Sequence, residues 1–407
     1  MNEALSEEIK TSASQIPEGW DELNIEDVLT IGSGKDYKHL NEGNIPVYGT
    51  GGVMTYVDGH LYDGDSVGVG RKGTIDKPIF LTGKFWTVDT LFFTHSFRNT
   101  IPRFIYYVFL TINWKRYNEA SGVPSLSKTT IEKIKLLLPP LPEQQKIAEI
   151  LSTVDDKIEA IEERIQQTKE LKKGLMQRLL TKGIGHTKFK DSPLGEIPES
   201  WEVYSFSDLF EYIPTKSLSR SNLTNETTDY QYVHYGDIHT AFIFPIVNLN
   251  KTDLPYIANG LNGDLKLLKD GDLIIADASE DLEGVGKSIE LTGIGEKKVV
   301  GGLHTIVGRD KLKKLALGFK PYLFLNEAVN KSLKRIATGA SVLGISKGNL
   351  SKIDLLVPPI SEQMQIADVL NSIDDKIEML SEEQGVYQEL KKGLMQQLLT
   401  GKKRVKV

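Results

Sequence analysis

The sequence predicts a mixed α/β (α+β) protein: two tandem globular domains separated by two long helices that pair as an antiparallel coiled coil. Three observations predict it. The octet ELKKGLMQ occurs at 170–177 and again at 389–396. The segments around it, 139–182 and 358–401, align without a gap at a constant offset of 219, and 24 of the 44 positions are identical. In both segments apolar residues recur at alternating spacings of four and three, the mark of a heptad seam.

The repeat reaches upstream. IPEGW at 16–20 is echoed by IPESW at 197–201, an offset of 181. SLSKTTIEKIKLLLPP at 125–140 is echoed by LGISKGNLSKIDLLVPP at 343–359. Each half therefore reads IPE-x-W, a divergent globular stretch, a Pro-Pro turn and one long helix. The second divergent stretch is 38 residues longer than the first, 219 minus 181. A domain-sized period excludes a solenoid. The predicted organisation is a first globular domain at 1–141, a helical repeat at 142–182, a second globular domain at 183–357 and a second helical repeat at 358–407, an internal duplication with pseudo-twofold character.

Taken in order, residues 21–140 combine glycine turns with short β-prone runs, and RFIYYVFLTINWKRY at 103–117 reads as helix. The first long helix carries Ile147, Leu151, Val154, Ile158, Ile161 and Ile165. The series resumes at Leu171 or Lys172 and continues through Leu175 and Leu179. PPLPEQQ places prolines before this helix and a Glu-Gln pair in its first turn, and Gly183 and Gly185 suit its end. The second globular stretch holds QYVHYGDIHTAFIF, DGDLIIADASE and VVGGLHTIVGRD as strand-rich runs, with FKPYLFLNEAVNKSLKRIATGA as a helix. The second long helix repeats the seam at Ile366, Leu370, Ile373, Ile377 and Leu380, then Leu390, Leu394 and Leu398.

A helix of about 40 residues is roughly 60 Å long and cannot leave such a seam wet. Mutual pairing is the expectation, because a strict heptad stripe is narrower than a face meant for a broad core. The alternative is that each helix packs on its own domain. Gly174 and Gly393, inside the octets, each cost about 1 kcal/mol relative to alanine in a helix. Their recurrence predicts a close neighbour, either the partner helix or another protein, with a tolerated kink as the alternative.

Composition excludes several classes. The chain has 407 residues, no cysteine and a net charge of −6, with no run of 18 apolar residues. Disulfides, thiol chemistry and a transmembrane helix are therefore not expected. The start, MNEALSEEIKTSASQ, is acidic and polar without an apolar signal core, so a cytoplasmic location is expected. Net charge is −3 over 1–141, 0 over 142–182, −2 over 183–359 and −1 over 360–407. No segment is basic, which opposes a protein that grips nucleic acid by itself.

Catalytic chemistry is not legible. GSGK at 32–35 imitates a phosphate loop, but Leu29 stands where the leading glycine belongs and Asp36 follows the lysine. Asp155, Asp156 and Lys157, repeated at Asp374, Asp375 and Lys376, read as a solvated or partner-binding helix face, not a nuclease triad. The seven histidines give no zinc spacing, and His234 and His239 read as loop residues, so no metal or cofactor is expected. The remaining signal is loops that mix basic, aromatic and small polar residues. They comprise Lys35; Arg71, Lys72 and Thr74; Arg98 and Asn99; Lys115 and Arg116; Tyr230, His234 and Tyr235; and Ser279, Lys287, His304, Arg309 and Arg335. Such residues suit base edges and phosphates. Singly, each is an ordinary surface residue; the duplicated architecture is what groups them.

The series IPEGW, NIPVYGTGGVMTYVDG, VGVGRKGTI and LPPLPEQQKIAEILSTVDDKIEAIEERIQQTKELKKGLMQRLLT, with the whole repeated, resembles the specificity subunit of type I restriction–modification systems. The resemblance implies two target-recognition domains, each reading half of a bipartite double-stranded DNA target, and paired helices that set the spacer. It also implies docking of two methyltransferase (modification) subunits, association with ATP-driven restriction subunits, and no catalysis by this chain. Its acidic balance is then tolerable, since the partners would supply phosphate attraction. The competing reading is a duplicated coiled-coil interaction scaffold with no DNA role.

Overall fold

The computed structural model describes residues 16–258 and 265–406; the acidic start of the chain, on which the signal-peptide expectation rested, lies outside them. The chain forms two compact units, one comprising residues up to Glu163 together with Ser381 onward, the other Arg164–Leu380. The long helices are thereby shared. Helix α2 (Leu141–Lys182) and helix α4 (Ile360–Leu398) each give their first part to one unit and their last part to the other.

In the first unit a four-stranded sheet is built from β1 (Thr30–Ser33), β3 (Ser66–Gly70), β4 (Ile79–Leu81) and β6 (Leu91–His95), in the order β1-β6-β3-β4. A second sheet contains β2 (Glu42–Gly49) and β5 (Lys84–Thr87), which run parallel. The antiparallel pair Asp21–Asn24 and Lys135–Leu138 closes the domain beside the start of α2. Helix α1 (Pro102–Thr111) buries Phe104, Ile105, Tyr107 and Phe109 on the first sheet. The predicted longer helix stops at Thr111 and resumes as a 3₁₀ turn at Trp114–Tyr117, whose Trp114 indole donates to the Phe109 carbonyl at 2.9 Å.

The second unit repeats the plan with additions. Its main sheet contains β7 (Phe210–Ile213), β9 (Leu273–Ala276), β10 (Ser288–Thr292) and β12 (Thr305–Asp310), ordered β7-β12-β9-β10 with Ile246–Asn248 added at the edge. Its second sheet pairs β8 (Gln231–Val233) with β11 (Val299–Gly301), again parallel. The long helix expected near 319–340 is broken: Tyr322–Leu325 is followed by α3 (Glu327–Ile336). Asn326 causes the break. Its side-chain oxygen caps the amides of Ala328 and Val329, and its amide donates to the Leu180 carbonyl at 2.6 Å. QYVHYGDIHT likewise divides into β8 and a short helix, Tyr235–Thr240, with His234 between them as the N-cap, so His239 is a helical residue and not a loop residue.

The duplicated sequence makes duplicated contacts. At the start of α2, Glu143 accepts from the Trp20 indole at 3.2 Å; at the start of α4, Glu362 accepts from Trp201 at 3.0 Å. The neighbouring glutamines, Gln144 and Gln363, each donate to a carbonyl of the Pro-Pro turn, Pro139 and Pro358, at 2.8 Å. The Glu-Gln pair is thus buried and fixes where each helix leaves its domain. The end of the other helix seals both sites. Arg404 clamps Glu143 through contacts of 2.7 and 2.8 Å, and His186 lies 2.8 Å from Glu362. The Arg404 guanidinium holds the Glu143 carboxyl below the usual carboxylate range, against the opposing effect of burial.

Within each unit the helices pair antiparallel. In the first, Lys391 reaches Asp155 at 2.6 Å and Lys157 reaches Glu383 at 3.0 Å. In the second, Lys172 reaches Asp374 at 2.5 Å. Ile147, Leu151, Val154, Ile161, Ile165, Leu179, Ile366, Leu370, Ile377, Leu380 and Leu398 are buried; Ile158, Leu175, Ile373 and Leu394 are half-buried. Leu171 and Leu390 are exposed, so the inner positions go to Lys172 and Lys391. Asp155 and Asp374 therefore turn inward, not onto a solvated face. Asp155 also accepts from the Tyr107 hydroxyl at 2.8 Å. Asp374 is almost wholly buried, and burial raises its carboxyl pKa despite Lys172. Each helix also packs on globular cores, Ile147 and Leu151 on the first, Leu179 and Leu180 on the second.

The octet glycines differ from the close-neighbour expectation. Among the described residues no atom beyond the local helix backbone lies within 4 Å of where a Cβ on Gly174 or Gly393 would stand. Gly174→Ala with Gly393→Ala should therefore stabilise the isolated chain, by about 1 kcal/mol per site, seen as a higher thermal midpoint; a lower midpoint would show a contact within the chain.

Candidate nucleic-acid interface

In each globular domain four backbone segments converge at one end of the sheets. In the first they are the residues after β1, the β2 turn at Thr50–Gly51, the loop Arg71–Pro78 after β3, and Val88–Thr90 between β5 and β6. Hydrogen bonds join them: Lys35 N–H to the Thr87 carbonyl (2.9 Å), Val88 N–H to Tyr48 (3.0 Å) and Arg71 N–H to Thr90 (2.8 Å). Gly34 is required here, since a Cβ on it would stand 1.9 Å from the Val88 carbonyl oxygen. This crossing, not a phosphate loop, accounts for GSGK.

The second domain forms the same rim. Lys216 N–H donates to the Gly301 carbonyl (2.9 Å) and Asp277 N–H to the His304 carbonyl (3.1 Å). Tyr235 stands amid histidines, its ring centroid 4.7 Å from His234, 6.2 Å from His239 and 5.2 Å from His304. His304 Nδ1 lies 3.1 Å from an Asp277 carboxylate oxygen, and His304 holds a left-handed backbone, φ 53°.

The sequence-predicted residues divide into three groups. Lys35, Arg71, Lys72 and Thr74 sit on the first rim; Lys35, Arg71 and Lys72 are exposed, and the Arg71 guanidinium lies over Phe92. Lys115 and Arg116 adjoin it, since Lys115 pairs with Asp76 of the same loop at 3.1 Å. On the second rim are Tyr235 and His304, with His234, Ser279 and Lys287 beneath it. His234 Nδ1 caps Gly236 N–H, and burial lowers its pKa. Ser279 is buried and accepts from Asp281 N–H. The Lys287 ammonium donates to the carbonyls of His239 and Phe242, each at 3.2 Å, and burial lowers its pKa too. Arg335 adjoins the rim at the end of α3, where Lys334 pairs with Glu283.

The third group lies elsewhere and corrects the expectation. Arg98 donates to the carbonyls of Glu26, Asp27, Leu29 and Ser96, capping a short helix at the far end of β6. Asn99 holds a left-handed turn, φ 50°, and its carbonyl accepts from Gln144. Tyr230 stands before β8, at the end opposite the rim, under the Lys298 ammonium. Arg309 makes a two-pronged pair with buried Asp272, at 2.8 and 2.6 Å. Missed were Thr90, Lys216, His239 and Asp277. Lys216 was within reach: it stands 181 residues after Lys35, the offset that already links IPEGW to IPESW.

Two copies of one recognition-like domain, each joined to a long helix, match known proteins. The family described as the type I restriction modification DNA specificity domain matches residues 17–170 and again 198–391. The type I restriction enzyme MjaVIII specificity subunit of Methanocaldococcus jannaschii is 32% identical over 358 residues, covering 85% of this chain and 79% of that protein. The putative MjaX specificity subunit of the same organism is 30% identical over 315 residues, 74% and 68% of the two chains. A crystal structure of a type I restriction–modification S subunit from M. genitalium shares the fold, with a TM-score of 0.62 at 12% identity over 95% of this chain and 97% of that one. The chain belongs to the type I restriction–modification DNA specificity family. It is a non-catalytic specificity subunit with two tandem target-recognition domains. Among the described residues no helix is long and apolar enough to cross a membrane.

Arg309→Ala would strand the buried Asp272 carboxylate and should cost about 3 kcal/mol of stability. Arg98→Ala should cost about 1–2 kcal/mol through its unpaired carbonyls. Urea unfolding of the chain measures both, and neither change should alter a recognised DNA sequence.

Proposed function

We propose that each rim reads one half of a bipartite double-stranded DNA target, and that the paired helices set the gap between the halves. The observation that carries this reading is one backbone frame, held by equivalent hydrogen bonds in both domains, bearing different side chains at its tip. A shared frame with divergent tips suits two readers of different sequences, while the helices, identical at 24 of 44 aligned positions, suit one partner bound twice. That partner is proposed to be a methyltransferase subunit in two copies, with restriction subunits joining the assembly in the cytoplasm, where the host DNA lies.

The charge supports a division of labour. The second rim's loop carries Asp277, Glu280, Asp281 and Glu283, so it adds little phosphate attraction of its own. Asp281 accepts from Gly284 N–H and Glu283 is paired with Lys334, which leaves the loop shaped for contact at close range. General attraction to the phosphate backbone falls to the partners.

Removing one heptad from facing stretches of both helices (160–166 and 380–386), which spares Asp155, Lys172, Asp374 and Lys391, shortens the pair by about 10 Å, equivalent to roughly three base pairs. Sequencing of methylated adenines in cells carrying this variant should show both half-sites unchanged and the gap shortened. Altered half-sites with an unaltered gap would contradict the separation of reading from spacing.

A further inference from the structure

The two rims can be placed in register residue by residue. Gly70 faces Leu91 across β3 and β6, as Ala276 faces Thr305 across β9 and β12. The next residue on each side continues the match: Arg71 N–H donates to the Thr90 carbonyl, and Asp277 N–H donates to that of His304. The carbonyls of Arg71 and Asp277 then accept from Leu126 and Ile345, themselves 219 residues apart. Arg71 and Asp277 therefore occupy one position, and Thr90 and His304 another. Lys35 and Lys216 occupy a third, since Tyr48 pairs with Thr87 and Val233 with Gly301, the two carbonyls these lysine amides bond.

The chemistry at these positions is unequal. The third holds lysine in both domains. The first holds a cation in one domain and an anion in the other. The second holds a hydroxyl in one and an imidazole in the other. A carboxylate only accepts, so a proton on His304 Nδ1 joins the two groups, and the Asp277 carboxylate keeps its other lone pairs as acceptors. The Arg71 guanidinium gives one donor to the Asp89 carbonyl at 3.3 Å and keeps others for the first rim, while the second rim offers the acceptors of Asp277 at the matching place.

Resting on the proposal that the rims face DNA, we infer that Lys35 and Lys216 are common phosphate anchors, while Arg71/Thr90 and Asp277/His304 are the specificity-determining pairs. Phosphate is the same whatever the sequence, so an anchor survives duplication unchanged; a base reader must diverge for the two half-sites to differ. Arg71 fits the O6 and N7 acceptors of guanine. Asp277 with His304 fits the exocyclic amine of cytosine or adenine.

The test uses the chain assembled with its modification subunit. Methylated sites are sequenced in cells, and the purified complex is titrated with its target and with single-base variants over a range of salt. Arg71→Ala should relax one base pair of one half-site, lowering discrimination there by about tenfold or more. Arg71→Lys, which keeps the charge, should relax the same base pair. His304→Thr should alter only the other half-site. Lys35→Ala or Lys216→Ala should leave both half-sites intact and reduce the slope of log affinity on log salt by about one. In each reader variant the untouched half-site reports that the chain is folded. Uniform weakening by Arg71→Ala and Arg71→Lys with an unchanged sequence preference would overturn the assignment, as would a changed preference on losing either lysine. If none of these substitutions alters preference, affinity or salt slope, the rims do not face DNA and the underlying reading falls as well.

Discussion

Each long helix carries a lysine at a seam position where a leucine would be the simpler choice, and each lysine is answered by an aspartate of the antiparallel partner. The pairs Lys391–Asp155 and Lys172–Asp374 are the same interaction made twice, once in each unit. The Lys391–Asp155 pair is half-buried, and the Lys172–Asp374 pair is not a surface salt bridge in its energetics. Asp374 is almost entirely buried, so replacing Lys172 alone would leave a charge with no compensation. An apolar seam by itself tolerates sliding by a heptad, because each layer of leucine and isoleucine resembles the next. A buried ion pair at one level tolerates no such slip. Register within its unit is therefore the quantity the Lys172–Asp374 pair controls.

The second constraint is how each unit closes. Glu143 and Glu362 sit in the first turn of a long helix, bind the tryptophan that opens their own domain, and are sealed by residues beyond the end of the other helix. The first unit is completed by a segment distant in sequence, since Arg404 stands 261 positions from Glu143; in the second, His186 belongs to the stretch that leads into Trp201. The duplication accounts for this: two copies of a domain with a trailing helix can exchange helix ends, and each then buries the carboxylate that its own helix introduces.

Much of this was legible in the sequence because it is periodic or repeated. The heptads gave the helices, the large domain between them their antiparallel sense, and IPE-x-W with the Pro-Pro turn marked out two related halves, as the family match at 17–170 and 198–391 also does. Three kinds of information were not legible. The choice between Leu171 and Lys172 at the seam depends on a carboxylate 202 residues away. The same contact turns Asp374 inward, where the charge run DDK suggests only a solvated face. The site residues were harder still. A surface arginine in a loop looks the same whether it is exposed with a single backbone contact, as Arg71 is on its rim, or committed to four backbone carbonyls, as Arg98 is. Asp277 carries no sequence signal for a nucleic-acid interface, since its sign is wrong for phosphate. Its place emerges only when strand register puts it on Arg71. The recurrence of the octet glycines suggests a site of close approach, and among the described residues none approaches them.

The claim that a buried ion pair fixes helix register within its unit is tested most directly by a double-mutant cycle on Lys172 and Asp374. Lys172→Met, Asp374→Leu and the pair together would be compared with the parent chain by urea unfolding, following the unit that contains them. The account predicts a coupling of about 1–3 kcal/mol, with the double variant more stable than Lys172→Met alone. Additive effects, within about 0.3–0.5 kcal/mol, would contradict it.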